Sequence, residues 1–445
     1  MNFSGEKALE YVHGMTQKVG TRFAGTEGEK KGAEYLLGLF KQFGYEDAKL
    51  QPFPIDLYQV WDEKLVVDGL GEVPCKGFIA ATDCPNGVTG ELVYLETGDE
   101  CDIDTDVAGK IAIVTGGVGG KRLRSLIQKK VAGVIAIEMT PHVRPRRGGF
   151  GHEGSMRYGN LPGVRVTYEW GETLMGARGK KATISLRSKY TLTEAYNVVA
   201  ELKGTSESED IILICGHCDS IYDSQGTLDN AGGTAIVMEL ARIFKQIGSK
   251  RTLRFIAFSG EEQGLRGSVY YARELRKADK AAKKADKDFV LKGGMTELDR
   301  HRLVINIDIQ GALIANNTAW ISGPLDLAAA VRLLAAETGP QFAIQEACYS
   351  SDNAPMSDAG VPAISFGRGG PANFWGHTDE DVYQLCSAEG LNVSGEFILK
   401  YMRRYITESR TIPFERTIPD EHKKHVANYF KDRIMLRMDE GIDSE

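Results

Sequence analysis

The chain has 445 residues, 42% of them apolar and 26% charged, enough for two domains with substantial cores. Lysine and arginine number 54 against 61 acidic residues, and the resulting net charge of −7 argues against a nucleic-acid partner, which needs a basic face. Seven cysteines, at positions 75, 84, 101, 215, 218, 348 and 386, are an odd count in a long chain; that is not a disulfide framework and fits a reducing, cytoplasmic compartment.

The opening segment, MNFSGEKALEYVHGM, lacks the apolar stretch and small-residue cleavage site of an export signal. No run approaches the roughly 18 apolar residues of a membrane span, so no membrane role is expected. Residues 26–44 read as a helix. Thr26 and Glu29 have capping-box spacing, Ala33, Leu36, Leu37, Phe40 and Phe43 share a face, and Gly44 suits the position after the helix. From about residue 65 to 188, short strands such as ELVYLE, GKIAIVTGG and AGVIAIEM are separated by Gly, Asp and Pro turns, the texture of a distinct β-rich module. Its basic run, Arg144, Arg146 and Arg147, reads as a solvated loop.

From about 196 the pattern changes again. The apolar runs YNVVAEL, DIILICGH, TLRFIAFSG, RLVINIDIQG and VPAISFG alternate with helical stretches over 235–247 and 325–338. Such runs belong to an α/β domain whose sheet is covered on both faces. Ligands in these sheets bind beyond the carboxyl ends of the strands. Just after the runs come His217 and Asp219, then Glu261 and Glu262, then Asp308, and finally His377 in FWGHTDED. An ordinary α/β protein would place Ser, Gly or Thr at most of these positions.

The stretch CGHCDS imitates a dithiol motif. Along a strand, however, His217 and Asp219 share one face while Cys215 and Cys218 point to opposite faces and cannot chelate one ion. A redox pair also starts a helix, and the DSIYDSQG that follows here is turn-like. Asp, Glu and His together suit zinc or a similar metal, and a carboxylate can bridge two ions. A neighbouring free carboxylate can then act as general base. SGEEQG supplies two carboxylates in one turn, one for each job, and spacing does not say which does which.

Taken together, GHCDS, LDNAGG, SGEEQGLRGS, NIDIQG and GHTDED resemble, in order, the motifs of the co-catalytic di-zinc exopeptidases, a family that includes bacterial aminopeptidases, glutamate carboxypeptidase and the non-enzymatic transferrin receptor. The stretches DVAGKIAIVTGG, KKVAGVIAIEM and LPGVRVTYEWGETL resemble the protease-associated (PA) domain that many members carry as an insertion. The resemblance implies a mixed, mostly parallel doubly wound sheet with helices on both faces. The catalytic domain would comprise 1–65 and 190–410, the PA-like insertion 66–189, and a helical tail 411–445. It implies two Zn2+ ions, with Co2+ or Mn2+ as possible substitutes. His217 and Asp308 would hold the first ion and Glu262 and His377 the second, with Asp229 bridging. Asp219 would orient His217, and Glu261 would be the general base. The implied activity is removal of N-terminal residues from peptides with a free N-terminus.

Some features depart from that pattern. The tyrosine that several relatives place before the last histidine is Gly376 here, and Tyr349 in ACYSSDNAP is the candidate to stabilise the oxyanion in its stead. Asp352 resembles the Ser-Asp position near the pocket, and Asp381 is a candidate to hold the last-histidine loop. Phe374 and Trp375 hint at apolar substrate side chains. His13, His142, His152 and His301 are expected to be structural or exposed, and His422 and His425 share a helix face. RELRKADKAAKKADKDFVLKGG reads as a solvated helix and connection. In the tail, Val426, Tyr429 and Phe430 form a stripe for docking on the chain's own core or for a homodimer. The alternatives are another di-zinc amide hydrolase, carboxypeptidase-like, or a non-catalytic binding protein on the same fold.

Overall fold

The computed structural model describes residues 1–100, 106–286, 288–434 and 438; Cys101 lies outside them. Four parallel strands form the centre of a large sheet, in the order Thr252–Phe258, Ile211–His217, His301–Ile307 and Ala363–Gly369. Lys181–Leu202 flanks Thr252–Phe258 antiparallel. On the other side Asn316–Ser322 runs antiparallel to Ala363–Gly369 and pairs in parallel with Phe342–Gln345. The sheet is therefore mixed, with a parallel centre.

Both faces of that centre are buried, as its unbroken apolar runs require. In Ile211–His217, Ile212 and Ile214 enter a core made with the helices Gly5–His13, Glu27–Gln42, Gly232–Ile247 and Ala388–Met402. Leu213 and Cys215 enter a second core, against Arg266–Ala285, Asn353–Asp358 and the tail. Cys218 belongs to the first core, so the two thiols of CGHC are separated by the sheet. Burial pushes both thiols well above the ordinary cysteine range, which leaves them inert as nucleophiles.

The helix Glu27–Gln42 starts as its sequence implies, with the Glu29 N–H donating to the Thr26 hydroxyl at 3.4 Å. The return half of the capping box is absent among the hydrogen bonds of Glu29. Its carboxylate is buried instead and accepts the Tyr196 N–H at 2.9 Å.

Two long antiparallel strands, Lys49–Val67 and Lys181–Leu202, link this sheet to the middle of the chain. Beyond them lie Cys84–Tyr94, Ile111–Thr115, Gly133–Ile137 and Gly163–Val166, mutually parallel, around a separate hydrophobic core. This stretch is less purely β than its sequence implies, since it carries the helices Gly120–Gln128, His152–Tyr158 and Tyr168–Met175. At 9, 7 and 8 residues they span only about two turns each, too short for their period to stand out among strands.

The basic run is not a solvated loop. Arg147 is buried between Asp223 (2.7 Å) and Glu63 (2.9 Å), and Arg144 and Arg146 reach the segment 374–380. The tail stripe is likewise consumed: Val426 and Phe430 are buried against Leu265, Val269 and Met356. Of the two roles open to the stripe, docking on the chain's own core is the one these residues take. The segment after Glu262 forms the helix Arg266–Ala285, whose second half is largely exposed.

Candidate metal centre

The polar residues of the four central strand ends meet above the carboxyl edge of the sheet. His217 is the last residue of its strand, Asp308 directly follows Ile307, Glu261 and Glu262 follow Phe258 by a tight turn, and His377 lies beyond Gly369. The turn before Glu261 needs Gly260, whose φ is +74°. Asp229 comes from the irregular segment Thr227–Ala231 between strand and helix, and its peptide bond to Asn230 is cis. Asn230 donates to the Ile307 carbonyl at 2.8 Å, which ties Asp229 to the residue beside Asp308. Gly233 permits this approach, because a Cβ there would sit 2.4 Å from that same carbonyl.

Two clusters result. His217, Asp229 and Asp308 offer one set of ligand atoms, and Asp229, Glu262 and His377 offer another, each set lying within 4.8 Å. His217 Nε2 is 3.1 Å from Asp229 Oδ1 and 3.4 Å from Asp308 Oδ1. His377 Nε2 is 3.1 Å from both Asp229 Oδ2 and Glu262 Oε2. His217 Nδ1 lies 3.3 Å from the Asp219 carbonyl, which can only accept, so Nδ1 carries the proton and Nε2 presents a lone pair. When the ring is neutral, as a metal ligand must be, acceptors converge at His217 with no donor between them. Asp308 Oδ1 and Glu262 Oε1 are also buried without a hydrogen-bond partner. Such a set is costly unless a cation neutralises it, and two nitrogen ligands with shared carboxylates suit a borderline divalent metal.

The same surplus of negative charge favours a proton on each imidazole where no cation takes its place. Burial opposes a charged imidazole, yet the neighbouring Asp219, Asp229 and Asp308 hold His217 well above the ordinary histidine range. Glu262, against burial and together with Asp229, does the same for His377. Burial would raise Asp229, but its bonds to His217 and His377 hold it below the usual carboxylate range. Burial raises Glu261 well above that range, with His217 partly offsetting and Glu262, Asp308 and Asp352 adding to the shift.

A cavity of about 500 Å³ opens on these groups, lined by Asp229, Glu261, Glu262, Asp308, Tyr349 and His377 among others. That is within the usual size of a small-ligand site. The Tyr349 ring stacks on Trp320 with centroids 4.2 Å apart. Burial, then the nearby Asp308, Asp229 and Glu261, keep its phenol protonated by raising it far above the ordinary tyrosine value. Phe374 and Trp375 line neither this cavity nor the larger one beside it, and Phe374 is exposed.

Residues 197–402 match the model of peptidase family M28. The likeness to that family is carried by a little under half of the chain. Over 455 aligned residues, the chain is 26% identical to aminopeptidase YwaD of Bacillus subtilis (strain 168), covering 97% of this chain and 90% of that one. Carboxypeptidase Q of Mus musculus is 28% identical over 302 residues, 61% of this chain and 62% of its own length. Among solved structures, BSAP, a zinc aminopeptidase from Bacillus subtilis, shares the fold with a TM-score of 0.73 at 24% identity, over 94% of this chain and 99% of that one.

Of the further residues that shape this site, Asp381 and Asp352 are candidates from the sequence, whereas Arg22 carries no signal there. Arg22 is buried and gives its guanidinium to the carbonyls of Cys218 (2.8 Å), Gly20 (2.8 Å), Gln225 (2.7 Å) and Gly226 (3.1 Å), fixing the loop between His217 and Asp229. Asp381 accepts the N–H groups of Leu228 (2.9 Å) and Asp229 (3.2 Å), so it links the His377 loop to the Asp229 turn. Asp352 is fully buried, and burial pushes it up to about 7. Tyr429 and Ile434 of the tail line the cavity, and the Ser350 hydroxyl donates to the Tyr429 hydroxyl at 2.8 Å. Of the remaining histidines, His301 is buried between Tyr271 and the Glu297 carbonyl, His152 bonds Asp56 and Tyr58, and His142 faces Glu169. His422 is buried while His425 is exposed.

Proposed function

We propose that this chain is an aminopeptidase that holds two zinc ions and removes N-terminal residues from peptides. The observation that carries it is the pair of His-and-carboxylate clusters sharing Asp229, with Glu261 in the same cavity. The likeness to YwaD along nearly the whole chain, and to a zinc aminopeptidase in fold, supports the reading. His217, Asp229 and Asp308 would hold one ion and Asp229, Glu262 and His377 the other, with Co2+ or Mn2+ as possible substitutes. Bound there, the ions would polarise the scissile carbonyl and acidify the attacking water.

The chain's own residues do the rest. Glu261 takes a proton from the attacking water and returns it to the leaving nitrogen. Asp219 fixes both the His217 ring and the Glu261 backbone, and the Tyr349 phenol donates to the developing oxyanion. The carboxylate-rich wall suits a free α-amino group. Residues 66–189 are read as a PA-like insertion between catalytic segments 1–65 and 190–410. Free thiols among the described cysteines favour a reducing, cytoplasmic setting. No helix among the described residues is long and apolar enough to cross a membrane.

The likeness to Carboxypeptidase Q favours a second reading, cleavage at the other end of the peptide. Hydrolysis of free, N-blocked and C-blocked peptides, each with and without chelator, separates the two. The expected result is chelator-sensitive cleavage abolished by N-blocking alone. Cleavage that survives the N-block and fails with the C-block would reverse the assignment.

A further inference from the structure

The loop that carries His377 is fastened at two points. Downstream, Asp381 bonds the N–H groups of Leu228 and Asp229. Upstream, the fastening comes from the segment between the strand Gly133–Ile137 and the helix His152–Tyr158. Arg146 Nε donates to the Gly376 carbonyl at 3.1 Å and Nη2 to the Phe374 carbonyl at 3.2 Å. Its Nη1 donates to Glu138 at 3.2 Å, and the Glu138 carboxylate is buried and also faces Arg165 at 3.5 Å. Arg144, far more exposed, pairs with Asp379 (3.0 Å) and Glu380 (3.3 Å) on the same loop. Gly376 directly precedes His377, whose own backbone is held at φ +60°, a conformation that side-chain-bearing residues adopt only under constraint. Local bonds inside the turn, such as Gly376 N–H to the Asn373 carbonyl at 3.0 Å, set its shape but not its place over the sheet.

We propose that Arg146 is a positioning residue for the second ion site: by gripping the backbone beside His377 it sets where Nε2 meets Asp229 and Glu262. The inference rests on the two-ion reading above. A planar guanidinium suits the task, because one fork can serve two carbonyls while a third donor is anchored on Glu138; an ammonium on a flexible stem cannot hold that geometry. The other cluster takes no residue from this loop. Loss of the grip therefore acts on one ion and spares the other.

The test uses the full chain loaded with Zn2+ and titrated with a chromophoric chelator. Wild type is expected to yield two ions per chain. Arg146→Ala should keep one ion at wild-type affinity and bind the other ~10–100-fold more weakly, the range for outer-shell partners of metal ligands. Arg146→Lys should resemble Arg146→Ala, and it carries the same expectation if the alanine variant does not fold. His377→Ala should lose the same ion, and adding Arg146→Ala to it should leave the remaining ion unchanged. Two ions of wild-type affinity in both Arg146 variants, or equal weakening of both ions, overturns the proposal. Fewer than two ions in wild type overturns the two-ion reading instead.

Discussion

One carboxylate oxygen of Asp219 accepts the backbone N–H of Glu261 at 3.3 Å, and the other accepts that of Glu262 at the same distance. The first of these oxygens also lies 3.4 Å from His217 Nδ1. A single buried residue thus fixes the imidazole of one strand end and both carboxylate-bearing residues of the next. The sequence resemblance implies that this aspartate orients the histidine; in the structure it equally sets the turn that presents Glu261 and Glu262.

Asp219→Asn tests that double role. The amide keeps one acceptor but turns an NH₂ group toward either a backbone N–H or the His217 Nδ1–H, donor against donor. A buried unmatched donor costs about 1–3 kcal/mol, and disturbed outer-shell partners cost ~10–100-fold in metal affinity or activity. Zinc content and kcat/KM should both fall. Wild-type values for both would show that Asp219 does neither job.

Glu261→Gln separates chemistry from binding. The side chain stays nearly isosteric and no ligand of either cluster is touched, so zinc stoichiometry and KM should hold. Removal of the base should lower kcat by ~100- to 10,000-fold. Metal analysis beside steady-state kinetics checks this, and near-normal turnover with full zinc content removes Glu261 from the role.

Tyr349→Phe should lower kcat by roughly 100-fold or more if the phenol donates to the oxyanion, with KM little changed. The stacking on Trp320 survives the change, so thermal stability should move by less than a degree or two. Unchanged kcat would leave Tyr349 as a wall of the cavity only.

Most of the candidate site was legible because His217, Glu261, Glu262 and Asp308 lie at or just after the ends of apolar strand runs, and side chains beyond parallel strand ends converge. That argument needs only local sequence and the geometry of α/β sheets. What stayed hidden depends on contacts across the chain. Arg146 lies about 230 residues from the carbonyls it grips, and nothing in RPRRGG distinguishes a clamp from a solvated loop. Arg22 uses backbone carbonyls, which leave no trace in residue type. The tail's stripe was visible, but not that it would pack beside the cavity and place Tyr429 and Ile434 on its wall.

That tail yields a stability prediction. Phe430 is buried in the core shared with Leu265 and Val269, next to the turn that carries Glu261 and Glu262. Phe430→Ala should cost about 3–5 kcal/mol, the range for truncating a buried phenylalanine. KM should rise at temperatures well below the melting transition, because Tyr429 and Ile434 lose their support. Denaturant melts and kinetics at 25 °C check both. A destabilised variant of unchanged KM would mean that the tail braces the fold but does not shape the site.

Glu29 supplies a pH test outside both candidate ligand clusters. Its carboxyl is buried under Tyr196, with Oε2 left without a hydrogen-bond partner, and burial pushes it up to about 7 from an ordinary 4.5. The folded state therefore binds this proton more tightly than the unfolded chain does. Between about pH 4.5 and 7 the folded state holds more protons, so the contribution of Glu29 to stability declines as pH rises through that window. Above it, an ionised carboxylate is carried in the core at a cost. Glu29→Gln keeps an acceptor for the Tyr196 N–H and cannot ionise. The variant should match or trail wild type near pH 5 and exceed it near pH 8, as measured by urea melts in saturating zinc. A wild type whose advantage does not shrink between those two values would place the Glu29 carboxyl in a better solvated setting than its burial implies.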